Sequence, residues 1–165
     1  MEKSLNELIV AVKSDSLAKV EELLKNGCDP NGTDEEGRPP LLVALKSGAS
    51  KEVVELLLQN GADLDWTTSE GVSLLDEAVE KNRLDLVELF IERGMDPAKT
   101  QRGSGMTVMM LAASFDYLEM MELLYEKGAD IFAVDEIGLS AVDYARKLGR
   151  SRAKRWLEEK MANPF

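Results

Sequence analysis

Glycines recur in this sequence at a nearly constant interval. Four short segments resemble one another and each contains one glycine of a first series: residues 26–31 (NGCDPN), 60–65 (NGADLD), 93–98 (RGMDPA) and 127–132 (KGADIF). A second series follows at the same interval: Gly37, Gly71, Gly105 and Gly138. A regular period of this kind is typical of repeat architectures, whose units are too small to bury an apolar face alone and therefore stack on their neighbours.

Two amphipathic stretches separate one glycine segment from the next. Between the glycine segments 26–31 and 60–65, for example, they are residues 39–46 and 51–59. The apolar side chains of the later stretch share one face at helical spacing, which predicts a short helix. They are Val53, Val54, Leu57 and Leu58. The first glycine series is placed to end each second helix in a left-handed conformation, and the second series lets the chain turn back before the next helix.

These segments resemble the ankyrin repeat family. Residues 37–44 (GRPPLLVA) look like its G-x-T-P-L-H-x-A motif, and residues 53–65 (VVELLLQNGADLD) match its second helix and the following loop. The resemblance implies an all-α solenoid of about five stacked helix–loop–helix units with short hairpin-like loops. It divides a single domain, residues 1–165, into an N-terminal capping unit (4–32), three repeats (33–65, 66–98 and 99–132) and a C-terminal capping unit (133–160).

The sequence departs from the family motif at the position of its histidine, which normally ties neighbouring loops together. Leu42, Asp76, Met110 and Asp143 take that place in successive units. We therefore expect the network between the loops to be weaker, or to be built from other groups.

Composition excludes several kinds of chemistry. The sequence contains no histidine, which removes the Ser-His-Asp and Cys-His nucleophile systems and the usual zinc sites. Acidic pairs are frequent, but a stack of repeats offers them no closed pocket that would raise a pKa. We therefore expect no enzyme activity, no catalytic residue, no metal and no cofactor. The single cysteine, Cys28, is interpreted as a packed thiol, with a reactive site as the alternative.

Charge and hydropathy restrict the partners. The net charge is −11, from 31 acidic and 20 basic residues, so binding to nucleic acid or to an anionic membrane is not expected. Residues 146–165 are the basic exception, with seven basic and two acidic residues. Apolar runs such as residues 8–12 are too short to span a membrane, and the N-terminus does not resemble a secretory signal. We expect a cytoplasmic monomer.

The resemblance also implies a function, namely a non-catalytic scaffold that binds another protein along an acidic concave groove lined by loop tips and first helices. The predicted partner-binding residues are Asp34, Glu35, Arg38, Trp66, Thr68, Glu70, Val72, Asp76, Glu77, Glu80, Gln101, Arg102, Met106, Met110, Asp135, Glu136 and Ile137. Trp66 is interpreted either as an exposed binding anchor or as a side chain packed against a neighbouring loop.

Several other large side chains are assigned to packing. Met109, Met120 and Met121 fall on core positions of the repeat, and Trp156 and Leu157 fall on the inward positions of the last helix. Met106 and Met110 lie near the groove, and they either contact the partner or pack within the protein.

Two alternative functions remain. An inhibitor or immunity-type protein would use the same acidic surface to neutralise a basic partner such as a toxin or an enzyme, because complementary charge accelerates encounter. A small-ligand binder or an enzyme would instead require a deep pocket lined by convergent polar groups.

Overall fold

The computed structural model describes residues 2–163, and their side chains from Ser4 onward. Within these residues the regular structure is helical, and only two isolated antiparallel bridges, Thr67 with Ser73 and Val134 with Ser140, lie outside the helices. The helices are α1 (Glu2–Lys13), α2 (Leu17–Lys25), α3 (Pro40–Ser47), α4 (Lys51–Gln59), α5 (Leu74–Glu80), α6 (Leu84–Glu92), α7 (Val108–Ser114), α8 (Leu118–Glu126), α9 (Ala141–Lys147) and α10 (Ser151–Ala162). The predicted all-α fold of five helix pairs is confirmed.

The later first helices begin at a hydroxyl side chain. Ser73, Thr107 and Ser140 each accept a hydrogen bond from the backbone N–H three residues ahead, at 3.1, 3.2 and 3.4 Å. This arrangement satisfies one of the unpaired N–H groups of the first turn. Pro40 begins α3 instead, at a position where a missing N–H removes no helical hydrogen bond.

The second helices end at the glycines of the first series. Gly61 has a φ of 94°, and its N–H and that of Ala62 donate to the carbonyls of Leu58 and Leu57 at 3.1 and 3.0 Å. This left-handed ending satisfies two of the last carbonyls of α4. The corresponding glycines after α2, α6 and α8 also have positive φ, so the predicted role of the series is confirmed.

In three of the described helix pairs, the turn between the two helices depends on a different residue type, whereas Gly48 and Gly149 occupy this place after α3 and α9. Asp15, Asn82 and Asp116 adopt positive φ of 53°, 53° and 59°. Their short polar side chains tolerate this region better than other non-glycine residues do. Asp15 Oδ1 accepts a hydrogen bond from the Ser50 N–H at 2.9 Å, and Asp116 Oδ1 accepts one from the Ala153 N–H at 2.7 Å. Each aspartate therefore ties its turn to the beginning of the second helix in the next pair.

The chain forms two compact units, Met1–Trp66 and Thr67–Phe165. In the first unit, α1 packs against α2 and α3, while α4 packs against α2 and α3. Its core includes Leu8, Leu41 and Leu57, none more than 1% exposed. No helix of the described chain combines the length and the hydropathy of a membrane span.

In the second unit the first helices α5, α7 and α9 pack in a row, and the second helices α6, α8 and α10 pack in another. Phe90 fills the core together with Met109, Met120 and Met121, and all four are fully buried, as predicted for these methionines.

The last helix meets its predicted packing only in part. Leu157 is fully buried. Trp156 is half-buried and meets the ring of Tyr125 edge-on, with the ring centroids 5.6 Å apart. The expectation that Trp156 is a core residue is therefore only partly met.

Candidate functional site

The predicted site residues lie mainly on the loops between helix pairs, and these loops share one turn. Three residues before the second-series glycine, the backbone N–H of Asp34, Thr68 or Asp135 donates to the carbonyl four residues ahead, at 3.0, 3.0 and 2.9 Å. The glycine N–H then donates back to the carbonyl of the same residue. We call the residues between these bonds, and the equivalent residues of the remaining loop, the loop tips: 34–38, 68–72, 102–106 and 135–139.

The side chain of Asp135 stabilises the last tip from inside. Its Oδ1 accepts hydrogen bonds from the N–H groups of Ile137 and Leu139 at 3.1 and 2.9 Å, and its Oδ2 accepts one from the Tyr144 hydroxyl. The Tyr144 hydrogen bond is the largest cause of a lowered pKa at Asp135, and the same bond raises the pKa of Tyr144. The anionic carboxylate is therefore part of the folded loop.

The 34–38 tip, in the first unit, uses an ion pair. Asp34 Oδ1 accepts from the N–H groups of Glu36 and Arg38 at 2.9 Å, and Oδ2 accepts from Arg38 Nε at 2.9 Å. Partial burial raises the pKa of Asp34, but these hydrogen bonds outweigh it and the net pKa is lowered. Asp34 and Arg38 thus bind each other, and both are partly exposed.

The 102–106 tip has a different closure. The Thr100 hydroxyl accepts from the Arg102 N–H at 3.1 Å and donates to the Met106 carbonyl at 2.7 Å, so it bridges the two groups. The Arg102 side chain extends to α5, where its Nε lies 3.3 Å from Asp76 Oδ1, and its Nη1 lies 3.7 Å from the Met106 sulfur. Three predicted site residues, Asp76, Arg102 and Met106, therefore meet in one cluster.

Neighbouring tips of the second unit are joined by their backbones. The Gly103 N–H donates to the Glu70 carbonyl at 3.2 Å, and the Glu136 N–H donates to the Ser104 carbonyl at 2.9 Å. In this unit, main-chain hydrogen bonds thus join the loops where the family motif would use histidine. This agrees with the expectation of a differently built network.

Four predicted binding residues are not available as exposed side chains. Asp76, Glu77, Met110 and Asp135 are only 4, 7, 1 and 8% exposed, so the expectation that they face a partner directly is wrong. Asp76 Oδ2 and the Met110 sulfur accept hydrogen bonds from the N–H groups of Ser73 and Thr107, which begin their own helices. These two replacements of the motif histidine therefore turn back to cap α5 and α7.

The other predicted residues keep some or all of their exposure. Glu35, Glu70, Glu80, Gln101, Glu136 and Ile137 are exposed, and Trp66, Thr68, Val72, Arg102 and Met106 are half-buried. The Thr68 hydroxyl accepts from the Val72 N–H at 3.1 Å, so its role within the loop is structural.

Exposed apolar side chains collect on the last loop, where the predicted binding residues include only Ile137. Phe132, Val134 and Ile137 are 54, 60 and 75% exposed. The residue four positions before the tip glycine is polar in the two preceding loops, where it is Thr67 and Gln101. The apolar Val134 departs from this pattern, and that departure is the signal for it in the sequence.

The described residues form several open depressions, and one of about 360 Å³ lies between α1 and the 34–38 tip. A groove of about 830 Å³ on α1 and α2 is lined by Asn6, Glu7, Val10, Ser14 and Lys19 among others. A polar depression of about 240 Å³ lies at the turn between α7 and α8, with Asp116, Glu119 and Arg152 in its lining.

Comparison with known families agrees with this architecture. Residues 8–101 match the family model described as ankyrin repeats (3 copies), and residues 98–145 match the one described as ankyrin repeats (many copies). The chain belongs to the ankyrin repeat family. Ankyrin repeats generally mediate protein–protein interactions and are typically non-catalytic scaffolds.

Individual relatives share the repeat at moderate identity. Potassium channel AKT1 of Arabidopsis thaliana is 30% identical over 98% of this chain, and potassium channel AKT2/3 of the same plant is 26% identical over 78%. An ankyrin repeat-containing protein of Treponema pallidum (strain Nichols) is 30% identical over 68% of the chain. The chain spans about a fifth of either channel and 38% of the Treponema protein.

Proposed function

We propose that this protein is a non-catalytic scaffold that binds a partner protein with a basic surface through its acidic loop tips. The observation that carries the proposal is the combination, in the second unit, of exposed acids on the tips with large exposed apolar side chains on the last loop. Glu70 and Glu136 supply the charge, and Ile137 and Val134 supply apolar area. Interfaces commonly combine a few apolar anchors with a polar rim.

Local charge supports a basic partner. Residues 100–145 contain eight acidic and two basic residues, and one of the basic residues, Arg102, already pairs with Asp76. An acidic surface accelerates encounter with a basic protein, and the effect declines with salt because the field is screened over about 8 Å at physiological ionic strength.

On the first unit, Glu35 and Trp66 are the proposed contact residues, because Asp34 and Arg38 already pair with each other. The proposal includes a cytoplasmic monomer. The alternative proposal is the narrower inhibitory role, which would use the same residues and which the net charge of −11 favours.

The test uses a partner protein captured from native lysate with the chain, followed by binding kinetics at two salt concentrations. The variant Glu70→Lys/Glu80→Lys/Glu136→Lys reverses exposed charges on the tips and on α5, and should lower the association rate at least tenfold at low salt. Trp66→Ala should raise the dissociation rate if the indole is a binding anchor. An assay of the partner's own activity in the complex separates inhibition from scaffolding.

The matched control is Glu88→Lys/Glu122→Lys/Glu126→Lys, which makes the same charge change at exposed positions of α6 and α8. It should retain most of the association rate. If the control slows association as much as the tip variant, net charge alone governs binding and the proposed site is wrong.

A further inference from the structure

The hydrogen bonds between the tips of the second unit follow a fixed register. The carbonyl just before one tip glycine accepts from the N–H two residues before the next tip glycine. Glu70 accepts from Gly103 in this way, and Ser104 accepts from Glu136. Continued by one step, the register assigns the next acceptor to the carbonyl of Ile137, to which no described residue donates.

The glycines show the same open position. A Cβ built on Gly71 would lie 1.9 Å from the Gln101 carbonyl oxygen, and one on Gly105 would lie 3.1 Å from the Glu136 nitrogen, because the following tip packs there. A Cβ on Gly138 would meet nothing within 4 Å. The last tip therefore has both a free acceptor and free space at the place where its two predecessors are covered.

The side chains at this edge are apolar only in the last loop. Ile137 is equivalent to Glu70 and Ser104, and Val134 is equivalent to Thr67 and Gln101. Proteins usually protect an open edge with charged residues, and an exposed apolar edge marks an interaction site. Here Ile137 and Val134 are 75 and 60% exposed.

We infer that the edge of the last loop, formed by Val134, Ile137 and Gly138, receives an extended segment of the partner protein. The segment donates a backbone N–H to the Ile137 carbonyl and places apolar side chains on Val134 and Ile137, as in the addition of a strand to an open edge. Basic residues of the segment face Glu136. The inference rests on the proposed function and specifies where the partner binds and in which conformation.

Charge favours a partner over a second copy of this chain. The tips of the chain carry acids, among them Glu35, Glu70 and Glu136, so a second copy offering a tip to this edge would bring like charges together. A segment that alternates apolar residues with Lys or Arg packs its apolar side chains on Val134 and Ile137, and its basic side chains lie near Glu136.

The test begins with a phage-displayed library of random nine-residue peptides selected on the whole chain. We expect the enriched peptides to alternate apolar and basic residues, and to shift the amide NMR signals of residues 134–139. N-methylation of alternate peptide amides in one register should weaken binding at least tenfold, and methylation in the other register should not. Ile137→Lys should also weaken binding at least tenfold, while the control Leu148→Lys, at another exposed apolar residue of the same unit, should leave it unchanged.

Three results would overturn the inference. The first is that the enriched peptides shift the amide NMR signals of Glu70 and Gln101 but not those of residues 134–139. The proposed function would then hold, with binding at other tips. The second is equal binding by the peptides methylated in either register, which would show that the peptide donates no backbone hydrogen bond to the Ile137 carbonyl. The third is a dimer in sedimentation that Ile137→Lys dissociates, which would assign the edge to a second copy.

Discussion

Arg102 Nε lies 3.3 Å from Asp76 Oδ1, and both side chains are largely removed from solvent, at 17 and 6% exposure. This pair joins the 102–106 tip to α5, which belongs to the preceding helix pair, and the buried Nε atom has the charge contact with Asp76 but no hydrogen bond to a described group. Breaking such a pair leaves an uncompensated buried charge, which costs more than the pair contributes.

We therefore expect Arg102→Ala and Asp76→Ala each to destabilise the chain, the latter by about 3 kcal/mol. The double variant should cost clearly less than the sum, with a coupling above about 1 kcal/mol. Urea unfolding of the four proteins measures this cycle. Additive losses would show that the ion pair contributes nothing beyond the separate packing and capping roles of its members.

Gly71→Ala should be more damaging than Gly138→Ala, although the two glycines have nearly the same φ, 83° and 82°. Both changes carry the cost of a left-handed alanine, about 1–2 kcal/mol. Only the Cβ at position 71 would lie 1.9 Å from the Gln101 carbonyl oxygen, which forces the neighbouring loop to move. Thermal unfolding of the two variants tests this difference. Equal stabilities would mean that the loops separate without cost.

Leu57→Ala should cost about 2–5 kcal/mol, because it removes a fully buried side chain from the core of the first unit and leaves a cavity. Gln59→Ala, in the same helix α4 but exposed, is the control and should change stability by less than about 0.5 kcal/mol. Denaturant unfolding measures both. A loss for Leu57→Ala as small as that of the control would contradict the packing of α4.

Acid should loosen the last tip. The pKa of Asp135 is lowered in the folded chain, mainly by the Tyr144 hydrogen bond, so its stabilising effect is complete above the ordinary aspartate pKa of about 3.9 and is lost as pH falls through the lower folded value. An NMR titration of the Ile137 and Leu139 amides should follow this transition. Tyr144→Phe should move its midpoint upward, towards the ordinary pKa. An unchanged midpoint would show that the hydroxyl does not stabilise the carboxylate.

Much of the local structure follows directly from the sequence. The glycine period locates the helix ends because a left-handed C-terminal residue is a local requirement, and the helical spacing of the apolar residues between Val53 and Leu58 identifies the buried face of α4. The helix starts are equally local, because the hydroxyls of Ser73, Thr107 and Ser140 each accept from a backbone N–H only three positions ahead.

The direction of individual polar side chains was decided by tertiary contacts. The sequence predicts that Asp76 and Asp135 contact a partner protein, yet Asp76 Oδ1 pairs with Arg102 and Asp135 Oδ2 accepts from the Tyr144 hydroxyl. No local pattern shows such a partner.

The open edge at Ile137 is likewise a property of the tertiary structure. Its apolar residues are visible in the sequence, but only the hydrogen bonds from Gly103 to Glu70 and from Glu136 to Ser104 define the register that leaves this carbonyl free. The sequence by itself determined the repeat, its helices and most of its core positions, because helix ends and apolar helix faces are set by residues only a few positions apart. The tertiary structure alone decided how neighbouring loops join and which carbonyl stays free, because the bonds from Gly103 to Glu70 and from Glu136 to Ser104 join residues about one repeat apart.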